Sequence, residues 1–140
     1  MLTSMTEAIA QQLKALALQY ETEAFMQNDP SFFMHTHTQN SAEQEITAFL
    51  AACLSFGSRK QFCAKVETLL NEAHGTPYEW ILHGRYTSFF PQVKNSFYRM
   101  VSYADMHTLC TRLQTLLLQH GTLGTAVYSA WHKTPELPLQ

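Results

Sequence analysis

A short run of basic residues is the feature of this sequence with the clearest chemistry. Ser58, Arg59 and Lys60 directly follow Gly57, and Lys65 comes shortly afterwards in the same predicted helix. The first turn of a helix has backbone N–H groups without acceptors and carries the positive end of the helix dipole, so it can receive a phosphate. The alternative is that Arg59 and Lys60 simply face water, which suits the net charge of −2.

Histidines suggest a second kind of site. His35 and His37 lie close together between two predicted helices, but a zinc site needs three or four convergent ligands and no third Cys or His is near them in sequence. We therefore interpret them as solvated side chains and predict no metal and no cofactor. His74, His83 and His120 each lie at the end of a predicted helix, where the dipole favours a cation.

No catalytic residue is predicted. Cys53, Cys63 and Cys110 lie in apolar patterns without a C-x-x-C pair, which predicts small buried side chains and a reducing compartment. The sequence contains no G-x-S-x-G, no phosphate-binding glycine-rich loop and no H-E-x-x-H. Glu43 and Glu45 are two residues apart in a predicted helix, so they point to different faces and do not form a carboxylate pair.

An aromatic stretch follows the basic run. Its rings could stack nucleic-acid bases, but only Arg85 interleaves with them, so filling of the core is the favoured interpretation. The stretch contains Tyr78, Trp80, Tyr86, Phe89 and Phe90.

Composition limits the class of protein. With 140 residues, the chain predicts one helical domain over residues 1–132 and a tail over 133–140. A hydrophobic fraction of 46% with five Gly and five Pro favours helices over disorder or a β-sandwich. The charged fraction is 14%, against a usual value of about 25%, so the surface is weakly charged. No leader-like or membrane-length apolar run occurs, which predicts a cytoplasmic protein without a membrane partner.

Hydrophobic periodicity and capping motifs predict an all-α fold, a compact orthogonal bundle of about six to seven helices. Residues 5–27 form the first amphipathic helix, which ends at Asn28-Asp29-Pro30. A second helix starts at Asn40 or Ser41, and no strand pattern competes along the chain. Later helices start at the capping pairs Ser58 with Gln61 and Ser102 with Asp105, and near Thr76 and Thr122, with a further short helix over 93–101. The helix after Ser58 has an apolar stripe from Phe62 to Leu70, and the one after Thr122 has an apolar side that contains Val127 and Trp131.

Several short motifs occur in order along the chain. They are Asp29-Pro30 with His35, Glu45-Ile46-x-x-Phe49, Ala51-Ala52-x-Leu54 leading to Gly57-x-Arg59, Pro77-Tyr78-x-x-Ile81, Phe97-Tyr98-Arg99 with Asp105, and Gly121-Thr-Leu123. Together they resemble the uncharacterised bacterial family known as domain of unknown function 2400, from about Leu16 to Trp131. The residues that match its pattern are expected to hold the fold or form half of a site: Asp29, His35, Glu45, Gly57, Arg59, Arg99 and Asp105.

The resemblance also carries functional expectations. Family members continue into a second half with a basic, Trp-containing stretch and a Pro-x-Asp-Thr-His motif, which this sequence lacks. That motif looks like the one with the catalytic aspartate of helix-hairpin-helix DNA glycosylases, and Phe49 to Leu70 is similar to their early core helices. Because this chain also has no Gly-Val-Gly hairpin, no catalytic residue carries over. The resemblance thus implies a link to nucleic acid without autonomous catalysis.

Three hypotheses follow for the function. In the first, the chain equals the first half of that family and binds nucleic-acid phosphates through Ser58, Arg59, Lys60 and Arg99. In the second, it is a protein–protein interaction or self-association module, either a homo-oligomer or the partner of a missing second-half domain. The reason is that a partner can cover a weakly charged surface at a low cost of desolvation. The third is metal binding through the histidine pair between the first two helices.

Overall fold

The predicted all-α fold is confirmed in a computed structural model that describes residues 2–22, 29–35 and 40–133. Within these residues, the strands form one small antiparallel hairpin. The helices are α1 (Leu2–Tyr20), α2 (Ser31–His35), α3 (Ser41–Leu54), α4 (Arg59–Glu72), α5 (Pro77–Leu82), α6 (Tyr86–Phe89), α7 (Tyr103–His120) and α8 (Leu123–Lys133). The strands are β1 (Ser96–Tyr98) and β2 (Val101–Ser102).

The helix count and the first helix differ in detail from the prediction. The described residues contain eight helices rather than six to seven, because α2 and α6 are too short to produce a periodic signal. The first helix ends at Tyr20, and the predicted end near residue 27 lies outside the described residues. None of the described helices is both long and apolar enough to cross a bilayer.

Helices α3 and α7 organise the core. Helix α3 contacts α2, α4, α5 and α8, whereas α7 contacts α5, α6, α8 and both strands. The predicted apolar stripe of α4, from Phe62 to Leu70, is buried against this framework, and Trp80, Tyr86 and Phe90 fill its centre. Core filling by the aromatic stretch is thereby confirmed. The largest fully buried side chains are Phe90, Ile46, Leu50, Leu54, Leu69, Ile81, Met106 and Leu117.

Helix starts follow the predicted caps in part. Ser102 and Asp105 form the predicted capping box at the start of α7, with the Asp105 amide donating to Ser102 Oγ at 3.1 Å. Asn40, rather than Ser41, caps α3. The predicted box of Ser58 with Gln61 is wrong, because the Gln61 side chain lines a hollow beside α4 and the Ser58 side chain makes no capping hydrogen bond.

The predicted short helix over 93–101 is wrong, because this segment contains β1 and the turn into β2. Phe97 and Tyr98 are adjacent in sequence, and both side chains are buried. A short helix at the protein surface buries one face only, so it does not favour two adjacent buried residues of this size. The Phe97 ring lies 5.2 Å from the Phe90 ring, and the Tyr98 ring lies 5.0 Å from the Phe56 ring. Contacts to distant residues therefore override the local pattern.

The prediction of buried cysteines holds for only one of the three. Cys110 is buried, Cys63 is half-buried and Cys53 is exposed. The buried face of α3 runs through Ile46, Leu50 and Leu54, and Cys53 lies beyond its edge. The buried face of α3 is therefore narrower than the apolar pattern around Cys53 predicted.

Candidate phosphate-binding site

The corner between α3 and α4 contains three of the four predicted phosphate-binding residues. Gly57 has a φ of +85°, Ser58 occupies the N-cap position, and Arg59 and Lys60 begin α4. All four residues are exposed. The Ser58 side chain makes no capping hydrogen bond, and the Ser58 carbonyl accepts the Gln61 amide at 2.9 Å. Within this described turn, the amides of Arg59 and Lys60 are therefore the donors left at the positive end of the helix dipole.

The fourth predicted residue, Arg99, reaches this corner from the hairpin. A Cβ atom placed on Gly57 would overlap Nη1 of Arg99 and lie 2.9 Å from its Cζ, so the guanidinium rests directly against the glycine. Only a residue without a side chain permits this approach. The hairpin is fixed here by Tyr98, whose hydroxyl donates to the Phe56 carbonyl at 2.6 Å.

A hollow of about 450 Å³ lies between α4 and the hairpin. Lys65 enters it from α4 with its Nζ 5.0 Å from the centre of the Phe97 ring, and Arg99 enters it from the hairpin. Ammonium and guanidinium groups suit anionic oxygens, whereas the Thr68 and Tyr98 hydroxyls in the lining already donate to the Ala64 and Phe56 carbonyls. The remaining lining residues are Gln61, Ala64, Thr68 and Tyr98. Sequence reasoning missed this hollow, because it placed the residues of β1 on a helix.

One carboxylate lies beside these cations. Asp29 Oδ2 is 3.8 Å from Nη2 of Arg59, and Asp29 Oδ1 accepts the Ser31 amide at 3.0 Å. The hydrogen bonds from Ser31, with a smaller contribution from the Arg59 charge, hold the pKa of Asp29 below its usual value. Within the described residues, the other ion pair is Glu79 with His83.

The surface around the corner and the hollow is therefore positively charged. We call it the cationic face and define it by Arg59, Lys60, Lys65 and Arg99. Of these four side chains, Arg59 alone forms an ion pair within the part of the chain that the structure describes.

Glu43 and Glu45 point to different faces, as expected, and each caps another helix. Glu43 is 3% exposed, and its carboxylate accepts the Tyr78 amide at 2.7 Å and the Glu79 amide at 3.4 Å, at the start of α5. Glu45 accepts the Gly124 amide at 3.1 Å, at the start of α8. Both carboxylates complement helix dipoles, so the family-pattern residue Glu45 has a structural role.

The other family-pattern residues give no sign of catalysis. Hydrogen bonds from Ser102 lower the pKa of Asp105 and tie it to its helix cap. His35 ends α2 and is exposed, whereas His37 lies outside the described residues. No group of three or more His, Cys, Asp or Glu side chains among the described residues could hold a metal ion. Burial raises the pKa of Cys110 to about 12, which keeps its thiol protonated.

A second open surface lies between α3 and α8. We call it the apolar cleft; it has a volume of about 730 Å³. The predicted apolar side of α8 is only partly covered there, since Val127 is 64% and Trp131 45% exposed. Glu45 is the one charged residue that lines it. The other lining residues are Ala48, Phe49, Leu123, Val127, Gly124, Tyr128 and Trp131.

Comparison with known proteins gives one match. The family described as "Protein of unknown function (DUF2400)" matches residues 29–138, which include the whole cationic face and leave α1 outside. No curated protein and no solved structure matches the chain.

Proposed function

We propose that this chain, which belongs to the DUF2400 family, binds the phosphate groups of nucleic acid on its cationic face and does not catalyse a reaction on its own. The observation that carries the proposal is the contact of Arg99 with Gly57. This contact adds a guanidinium from the hairpin to the start of α4, where Arg59 and Lys60 already lie. The contact thus brings a cation from a distant segment to the corner where α4 begins.

The chemistry of the face suits phosphate oxygens. A guanidinium offers planar paired donors that match two phosphate oxygens, and Lys65 adds a point charge within the hollow. The first-turn amides of α4 add donors that point at the same solvent region. Because the chain as a whole carries a net charge of −2, the attraction is local, and we expect modest, salt-sensitive binding.

The arrangement favours a polymer over a small phosphorylated molecule. Two of the four cations, Lys65 and Arg99, line the hollow, whereas Arg59 and Lys60 begin α4, so the two pairs are expected to contact different phosphates of one strand. The aromatic residues of the hairpin, Phe97 and Tyr98, are 3% and 5% exposed, which leaves little ring surface for stacking with bases. We therefore expect contacts with the backbone and little preference for sequence.

Substitution of Arg99 tests the proposal. We expect Arg99→Ala to weaken binding of a labelled oligonucleotide about 5- to 10-fold and to reduce the salt slope by about 1, as for the loss of one phosphate contact. The measurement is fluorescence anisotropy at several salt concentrations, with circular dichroism to verify folding. Arg112→Ala is the matched control, since Arg112 is an exposed arginine on α7 outside the cationic face.

The control decides between a specific face and general attraction. We expect the Kd of Arg112→Ala for the oligonucleotide to lie within about twofold of that of the unmodified chain, because this substitution removes only a charge outside the cationic face. Equal losses in both variants, or no binding by the unmodified chain at about 50 mM salt, would contradict the proposal.

A further inference from the structure

Helix α1 carries an apolar stripe that stays open to solvent. Ile9, Leu13 and Leu16 follow one another at spacings of four and three residues, so they share one side of the helix. Their side chains are 50%, 61% and 49% exposed. Helices in proteins gain most of their stability from packing of such a face against a partner. The stripe therefore has the composition of a buried surface without being buried.

The apolar cleft is open in the same way. Val127 and Tyr128 are 64% and 65% exposed, and Trp131 presents 45% of its surface beside Phe49. Exposed apolar area of this extent is typical of a surface that binds a protein partner. Ala48 is a small residue of the lining and lets a helix approach closely, whereas the Glu45 carboxylate lies against Gly124.

The stripe and the cleft match in length and chemistry. From Ile9 to Leu16 the stripe is roughly 10 Å long, and the cleft follows α8 over roughly 12 Å, at 1.5 Å per residue. Anchors at positions i, i+4 and i+7 are the pattern of a helix that binds in a groove. One oxygen of the Glu45 carboxylate in the lining already accepts the Gly124 amide at 3.1 Å, so part of its hydrogen-bonding capacity is met within the chain.

We propose that the stripe of α1 docks in the apolar cleft of a second copy of this chain, and that the second copy reciprocates. The exchange gives a two-fold symmetric dimer in which each copy contributes both surfaces. With the fractional exposures above, two stripes and two clefts together remove on the order of 1,500 Å² from water, which lies within the range of stable interfaces. In one chain the stripe and the cleft are both exposed to solvent, and the second copy supplies the partner surface for each.

Light scattering after size exclusion, at about 100 µM protein, tests this proposal. We expect twice the chain mass of 16.0 kDa for the unmodified protein. Leu13→Glu in the stripe and Val127→Glu in the cleft each place a charge in the contact, so each is expected to raise the dimer Kd about 100-fold or more and give a monomer. Leu18→Glu is the matched control, because Leu18 is 82% exposed on the opposite side of α1, and its variant should stay dimeric.

Mixing the two monomeric variants sharpens the test. Leu13→Glu retains an intact cleft and Val127→Glu an intact stripe, so the mixture should form a heterodimer through one contact. A monomeric unmodified chain, or a dimer that persists in both variants, would overturn the proposal. A monomer whose α1 amides resist hydrogen exchange would overturn it too, since the chain's own helix would then occupy the cleft. Arg99→Ala should leave the mass of the dimer unchanged. This result separates the test of dimerisation from the test of phosphate binding.

Discussion

The cationic face and the apolar cleft both adjoin α3, yet they have opposite surface chemistry. Four of the nine basic residues of the chain lie on the cationic face, which directly follows the end of α3. The cleft, lined by the middle of α3 and by α8, contains Glu45 as the one charged residue among its described lining residues. The low charged fraction of 14% is therefore unevenly distributed over the described surface. One face suits an anion, and the other suits an apolar helix.

The two regions also differ in how they use aromatic residues. In the hairpin, Phe97 and Tyr98 are buried and hold the backbone next to the turn that carries Arg99. In the cleft, Tyr128 and Trp131 are 65% and 45% exposed. Buried rings thus support the cationic face from below, whereas the rings of the cleft are part of its surface.

The largest expected effect of a single substitution lies at the cationic face. Gly57→Ala puts a side chain at a φ of +85° and against the far end of the flexible Arg99 side chain, which can move away, so backbone strain should lower the free energy of unfolding by about 1–2 kcal/mol. It should also weaken oligonucleotide binding, because Arg99 must move. Urea denaturation followed by circular dichroism measures the first effect, and anisotropy measures the second.

Gly75→Ala is the matched control for that substitution. Gly75 has a φ of +72°, but a Cβ placed there meets no atom within 4 Å. Only backbone strain remains, so we expect a loss of about 1 kcal/mol and unchanged oligonucleotide binding. Equal losses of oligonucleotide binding in the two variants would show that the Arg99 contact contributes nothing to binding.

A smaller effect is expected at the cleft. Glu45→Ala removes the carboxylate that accepts the Gly124 amide, so the start of α8 loses its cap and the free energy of unfolding should fall by about 0.5–1 kcal/mol. Glu72→Ala, at the exposed end of α4, is the control and should change stability by less than about 0.5 kcal/mol. If Glu45→Ala weakened oligonucleotide binding as much as Gly57→Ala, the two regions would not be independent.

The smallest effect concerns pH at the cationic face. The folded-state pKa of Asp29 is lowered, so its contribution to stability is complete above its unfolded pKa of about 3.9 and is lost as the pH falls through the folded value. We expect Asp29→Asn to show a shallower loss of thermal stability between neutral and acidic pH than the unmodified chain. Asp105→Asn should behave alike, because Ser102 lowers the pKa of Asp105. Identical acid profiles for all three proteins would contradict this assignment.

Local patterns predicted the parts of the fold that depend on neighbours in sequence. The spacing of Phe62, Val66, Leu69 and Leu70 defines the buried face of α4, and the pair Ser102 and Asp105 starts α7. The hairpin escaped prediction because strands of two and three residues are too short for an alternating pattern. Its turn also contains Arg99 at a φ of +51°, without the glycine or asparagine that usually signals such a turn.

The sites depend on contacts that sequence spacing does not encode. The basic run at the start of α4 was visible, and so was Arg99 through the family pattern, but their meeting depends on the position of the hairpin. Likewise, Glu43 and Glu45 were expected on different faces, yet the helices they cap lie far along the chain. Pairings of this kind require tertiary structure, because the intervening chain length gives no preferred partner.

The salt dependence of oligonucleotide binding by the unmodified chain tests the cationic face most directly. Binding of a labelled single strand is measured by anisotropy as the salt concentration rises. If all four cations of the face contact phosphates, log K falls against log salt concentration with a slope of about −3, since each contact contributes about 0.7 on single strands. A slope near zero, or no binding at about 50 mM salt, would contradict a phosphate-binding function for this face.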